Sequence, residues 1–302
     1  MPSEAHQALV AALREAAMFE SSDGTLDVES LRKGMEAMTA TAELPEGTRV
    51  EPVDAAGVPA EWIAGDGADE SRVLLYLHGG GYVIGSIATH RALAARIAAA
   101  AGIRALILDY RLGPEHPFPA AVEDATAAYG FLLEQGIAPE QIAIGGDSAG
   151  GGLTVATLVA LRDAGRGLPG AAIALSPWTD LACSGESMTT RAEADPMVQR
   201  QGLLAMADLY LAGADPRTPT ASPLYADLSG LPPLYVQVGT AETLLDDATR
   251  IAERLRAAGS PVEIEAYEDL VHVFQAFAPQ VPESLEAIES LGVFLDRSLR
   301  GA

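Results

Sequence analysis

Gly146-Asp147-Ser148-Ala149-Gly150 is the stretch on which the reading of this chain turns. It follows the apolar run Ile142-Ala143-Ile144 and opens a segment of helical character that reaches about residue 164. A Gly-x-Ser-x-Gly set between a strand and a helix describes a nucleophile elbow, in which small flanking residues let the backbone turn so sharply that the serine oxygen projects from the sheet. Glycine is needed at both ends because a Cβ there would collide with the neighbouring strand and helix. The bare pattern is common in loops, so its surroundings must carry the reading.

Those surroundings alternate between strand and helix. Thr48 to Asp54 and Glu61 to Ile63 read as short strands, antiparallel to each other. Val73-Leu74-Leu75-Tyr76-Leu77 is a continuous apolar run of buried-strand length, followed by a glycine loop and a helix over roughly 89–101. Further strands are expected at 105–108, 141–144, 171–175, 234–238 and 262–267, with helices at 119–135, 149–164, 244–258 and 283–298. Continuous apolar strands between helices imply a mainly parallel sheet covered on both faces, here of about eight strands. Two segments stand outside this rhythm, 1–46 and 181–218, and the core is expected over 47–180 and 219–302. Apart from Met1, every methionine falls in them: Met18, Met35 and Met38 in the first, Met188, Met197 and Met206 in the second. Methionine suits surfaces that adapt to varied apolar shapes, so the two segments are expected to pack together as a lid lining an acyl or alcohol pocket.

Composition narrows the function. The 302 residues are 49% hydrophobic, enough for a large buried core and too many for a disordered chain. No run approaches the ~20 apolar residues of a membrane span, and the acidic start Pro2-Ser3-Glu4-Ala5-His6 lacks the basic opening of a secretory signal, so a cytoplasmic protein is expected. The formal charge is −23, from 42 acids against 19 bases, with Lys33 the one lysine. Such a surface repels phosphate backbones, which argues against nucleic acid as a partner, and disfavours strongly anionic substrates. Cys183 stands alone, which excludes an intramolecular disulfide and a cysteine-cluster metal site. No metal or organic cofactor is expected, since no His-Glu-x-x-His or comparable ligand spacing occurs.

Serine becomes a useful nucleophile only when a base takes its proton and a carboxylate orients that base. Where the nucleophile sits on such an elbow, the chain order is serine, acid, histidine. Of His6, His78, His90, His116 and His272, only His272 follows Ser148. The acid is expected just after the strand at 234–238, in Gly239-Thr240-Ala241-Glu242-Thr243-Leu244-Leu245-Asp246-Asp247. Glu242 is the first choice. Asp246 is the second, because Thr243-x-x-Asp246 resembles a capping box that would occupy it at a helix start. A tetrahedral intermediate also needs N–H donors aimed at its oxyanion. His78-Gly79-Gly80-Gly81-Tyr82 follows strand 73–77 directly and can expose amides without side-chain obstruction, and the N–H of Ala149 follows the nucleophile.

His78-Gly79-Gly80-Gly81, the run from Asp109 through Arg111, Gly113, Pro114, Glu115 and His116 to Ala121, and Gly146-Asp147-Ser148-Ala149-Gly150 together resemble the hormone-sensitive-lipase-like bacterial carboxylesterases, in their GDSAG branch. The resemblance spans about 40–300. It implies an α/β-hydrolase fold with a helical cap built from the N-terminus and an insertion. It implies oxyanion donors at Gly80, Gly81 and Ala149, a supporting role for Glu115 through hydrogen bonds to the active-site loops, and a bracing role for His78. It implies a small-molecule ester as partner and is compatible with a homodimer, though no residue pattern specifies one. One departure stands out: members usually carry Asp-Pro-Leu where this chain has Glu242-Thr243-Leu244.

Hydrolysis of short- to medium-chain esters through an acyl-enzyme is therefore expected. Lactones or aryl amides would use the same residues. A ligand-binding protein that keeps the fold without turnover is a different class; the presence of His272 argues against it.

Overall fold

The computed structural model describes residues 2–16 and 26–300. In chain order the elements are α1 (Glu4–Ala16), α2 (Val28–Thr39), β1 (Arg49–Asp54), β2 (Pro59–Ala64), β3 (Asp69–Leu77), α3 (Ile87–Ala101), β4 (Ile103–Leu108), α4 (Ala120–Glu134), β5 (Ile142–Asp147), α5 (Ala149–Asp163), β6 (Ala171–Leu175), α6 (Ser187–Thr190), α7 (Arg200–Leu211), β7 (Leu234–Gly239), α8 (Leu245–Ala257), β8 (Val262–Tyr267) and α9 (Pro282–Arg300). One sheet takes all eight strands in the order β1-β2-β4-β3-β5-β6-β7-β8. Only β2 runs against the rest, antiparallel to both β1 and β4; every other pairing is parallel.

The apolar runs form strands because both faces of the sheet are covered. Along β3, Val73, Leu75 and Leu77 join the core built with α4, α5 and α8, whereas Leu74 and Tyr76 join the core built with α3 and α9. Alternate side chains point to opposite faces, so a strand buried on both sides must be apolar at every position. The expected strand at 73–77 proves longer, starting at Asp69 and shifting register between Asp69 and Val73. Its polar beginning is held by Arg72, which pairs with Asp69 at 2.8 Å and with Asp296 of α9 at 2.8 Å. Local hydrophobicity carries no signal for a strand end fastened by ion pairs.

The elbow joins β5 to α5. Ser148 has φ 52° and ψ −119°, a conformation rare for a residue with a side chain. Its N–H donates to the Leu175 carbonyl at 2.8 Å and its carbonyl accepts from Trp178 at 2.8 Å, so the strain is fixed by neighbouring backbone. A Cβ on Gly146 or on Gly150 would run into the carbonyl oxygen of Leu77 at the end of β3. That close approach is what the two glycines permit. Gly150→Ala is expected to destabilise the fold by at least about 1–3 kcal/mol, the usual cost of forcing atoms into a packed interior; urea unfolding at an unchanged slope would measure it.

Candidate active site

Three strand ends bring the expected residues together. Ser148 follows β5, Glu242 lies three residues past β7, and His272 follows the turn after β8. Glu242 is completely buried, and its Oε2 lies 2.7 Å from His272 Nδ1. The other oxygen, Oε1, accepts from the Gly239 N–H at 2.6 Å and the Ser176 hydroxyl at 2.9 Å. A carboxylate fixed on both oxygens can serve only as an acceptor, so His272 donates through Nδ1 and leaves Nε2 free as a base. Burial pulls the His272 pKa down, but the hydrogen bond and charge of Glu242 outweigh it and hold the pKa above the ordinary 6.5. Ser148 and His272 line one cavity.

The glycine loop stands beside them. Gly80 and Gly81 have φ 112° and 60°, backbone that L side chains rarely adopt. Among the described residues, the N–H groups of Gly80, Gly81 and Ala149 donate to no protein acceptor. A helix leaves its first N–H groups unpaired, and Ala149 opens α5. His78 is buried with its Nδ1 2.7 Å from the Gly79 carbonyl and its ring stacked on Tyr110 at 4.2 Å. Burial and the neighbouring His90 push its pKa down to about 3, so it braces the loop as a neutral ring.

The cavity, about 300 Å³, is walled jointly by the two segments outside the core and by core residues such as Ile84, Leu93, Val273 and Phe277. Met35 and Met38 enter from α2, Met197 and Met206 from the stretch around α7. Met188 departs from the expectation: it is packed in the hydrophobic core. Met18 lies outside the described residues. The segments also touch, since Arg14 of α1 donates to the carbonyl of Glu193 at 2.9 Å. Arg32 of α2 forks onto Glu115 with two 2.8 Å bonds and also donates to the carbonyls of Val83 and Gly113. Arg32 thus ties α2 both to Val83, in the loop that follows the glycines, and to Glu115. His116 lines a polar surface cleft beside this pair, and His6 accepts from the Val271 N–H at 3.4 Å, next to His272.

The capping box expected at Thr243-x-x-Asp246 is not formed. Helix α8 begins one residue later than that motif requires, with Leu244 at its cap and no side-chain capping bond. Asp246 instead accepts from the Ser187 N–H at 2.9 Å and is turned to α6, away from the histidine. Thr243 gives its N–H and its hydroxyl to Asp195 at 2.9 and 3.2 Å. The same buried carboxylate accepts from Met197 and Val198, both in the cavity wall. A proline at 243 has no N–H to give, so the departure from Asp-Pro-Leu supplies a tie between the acid loop and the cavity wall.

Ser176, Asp195 and Arg32 were not legible as site residues. Each acts on a partner at least 48 positions away. The one sequence signal was Thr243 itself, standing where a residue without an N–H is usual.

A mostly parallel sheet with a strained serine elbow and a buried Glu–His pair at its strand ends defines an α/β-hydrolase. The family described as alpha/beta hydrolase fold matches residues 74–276. An acetyl-hydrolase of Streptomyces hygroscopicus is 51% identical over 236 residues, 78% of this chain and 79% of that one. An esterase of Acinetobacter venetianus is 36% identical over 247 residues, covering 82% and 81%. Among crystal structures, an esterase from the bacterial hormone-sensitive lipase family is 49% identical with a TM-score of 0.95, covering 99% of both chains. This chain belongs to the alpha/beta hydrolase fold family, among its bacterial hormone-sensitive-lipase members. No helix of the described residues is long and apolar enough to cross a membrane.

Thr243→Pro is expected to cost about 1–3 kcal/mol, because it strips two donors from a buried carboxylate. Thr243→Val, which keeps the N–H, should cost less. Equal losses on chemical unfolding would contradict this account of the tie.

Proposed function

We propose that the chain hydrolyses neutral esters of short- to medium-chain acids through a covalent acyl-enzyme. The observation that carries this is the buried Glu242–His272 pair opening, with Ser148, into one apolar cavity. In this reading Ser148 Oγ attacks the ester carbonyl while His272 Nε2 takes its proton. The tetrahedral oxyanion accepts hydrogen bonds from the N–H groups of Gly80, Gly81 and Ala149. Collapse expels the alcohol, which receives the proton from His272. Water, deprotonated in turn by His272, then attacks the acyl-serine; Ser148 regains its proton and the carboxylic acid leaves. Glu242 stays ionised throughout, orienting the ring and offsetting imidazolium charge.

The cavity supports the substrate class. A volume of about 300 Å³ is at the small end of small-molecule sites. Its lining among the described residues includes Glu43 and Asp147 but neither lysine nor arginine, so an acyl group bearing its own carboxylate would meet no counter-charge. Relatives named acetyl-hydrolase and esterase support the same reading.

p-Nitrophenyl butyrate is therefore expected to be turned over, and folded protein inert toward it between about pH 6 and 9 would overturn the proposal. Lactones and anilides assayed alongside test whether the preference is for open esters. Loss of activity is expected to be at least about 10³-fold in kcat for Glu242→Ala and much smaller for Asp246→Ala. The reverse ranking would reassign the acid.

The base must be neutral to work, so kcat/KM should fall as pH drops through the His272 pKa, which lies above 6.5. Glu242→Gln removes the charge that raises that pKa, so its residual activity should persist to lower pH. An acidic limb that stays put, or moves up, would dissociate Glu242 from His272.

A further inference from the structure

The second residue of the elbow pentapeptide has no part in the proposed reaction, yet its side chain is tied to three partners. Asp147 is buried. Its Oδ1 accepts from the Tyr76 hydroxyl at 2.7 Å and from the Gly79 N–H at 3.2 Å, and its Oδ2 lies 3.2 Å from His90 Nε2. Gly79 shows the other half of the fit. Its φ is not in the left-handed region, so conformation alone does not demand glycine there. A Cβ on Gly79 would instead occupy the place of Asp147 Oδ2. That carboxylate cannot swing aside cheaply, since it is held by Tyr76 and His90.

The consequence falls on the next two residues. The Gly79 N–H goes to Asp147 and its carbonyl to His78 Nδ1, while the His78 carbonyl accepts from the Tyr110 hydroxyl at 2.7 Å. With the peptides on both sides of Gly79 pinned, the chain leaves Gly79 in one direction, and the N–H groups of Gly80 and Gly81 are the first without protein acceptors. Oxyanion donors act only when aimed in advance at the developing charge.

We propose that Asp147 is a positioning residue for the reaction: it locks the oxyanion loop to the nucleophile elbow through Gly79, so that Ser148 and its donors keep a fixed spacing. This rests on the esterase reading above and adds to it a residue that acts through the backbone of Gly79.

A double-mutant cycle in kcat tests it, using p-nitrophenyl butyrate and protein verified as folded by circular dichroism. Asp147→Ser and Gly79→Ala should each lower kcat about 10²-fold, the scale of losing an oxyanion donor, with KM within about threefold. Serine makes room for the alanine Cβ, so the double variant should also lose about 10²-fold, not about 10⁴-fold. Asp147→Asn keeps an acceptor for Gly79 and should stay within about tenfold of the parent. Multiplicative losses, or folded Asp147→Ser with parental kcat, would overturn the assignment. If the serine variant does not fold, Asp147→Asn decides alone: a loss of about 10²-fold would mean that charge, not the bond to Gly79, matters. Parent protein without ester turnover removes the esterase reading itself, a result distinct from all of these.

Discussion

The carbonyl oxygen of Leu77 is the point around which the molecule is organised. Gly146 and Gly150, on either side of the serine, both lie against it without room for a methyl group. That approach welds the end of β3 to the first turn of α5. Because His78 follows Leu77 directly, the glycine loop begins where the elbow ends, and Gly80, Gly81 and Ser148 share a single junction. The eight-stranded sheet matters to the site chiefly as the rigid body holding this junction in register: β3 and β5 pair from Val73–Ile142 to Leu77–Gly146, right up to the turn. Side chains in packed interiors cannot drift to accommodate an extra atom, so the tolerance at this contact sets the precision available to the chemistry.

The histidine arm is built on a different principle. His272 and Glu242 come from loops beyond β8 and β7, which are joined by the bond from the Ala241 N–H to the Leu270 carbonyl at 3.0 Å, but that backbone bond does not itself orient the two side chains. What does is a chain of acceptors and donors: the Gly239 N–H and Ser176 hydroxyl on one oxygen of Glu242, the imidazole on the other, and the Val273 N–H returning to Ser176 Oγ at 3.1 Å. Glutamate has one more rotatable bond than aspartate, and fixing both of its oxygens removes the freedom that the extra methylene would confer. Asp195 then secures the loop from outside, joining Thr243 to the cavity wall.

Most of the fold was legible because its signals are local. Buried parallel strands announce themselves as unbroken apolar runs, and the elbow's glycines mark the sharp turn at its own position. The expected β6 and β8 coincide with the observed ones to the residue. The order serine, acid, histidine left one histidine eligible. Legibility failed where a residue's role depends on a distant partner. The polar start of β3 is made by Asp296, and Asp246 was given to its own helix when it serves α6 instead. Thr243 looked like a cap because capping needs only neighbours, whereas its true acceptor is 48 positions back. Methionine content marked the wall of the cavity but not which methionines face it: Met188 shares the composition of its segment and none of its exposure to the chamber.

The lining of that chamber, which among the described residues holds acidic side chains but neither lysine nor arginine, bears on how a catalytic cycle ends. A neutral guest enters an apolar compartment at little electrostatic expense, but the proposed reaction converts half of it into a carboxylate. That anion then sits among methionine, leucine and valine, with no cationic side chain in the described wall to hold it, inside a body carrying a formal −23. Its own field favours departure toward solvent. Cleavage thereby generates the force that empties the chamber, and affinity for the spent acid is kept low by the same absence of positive charge that admits the ester.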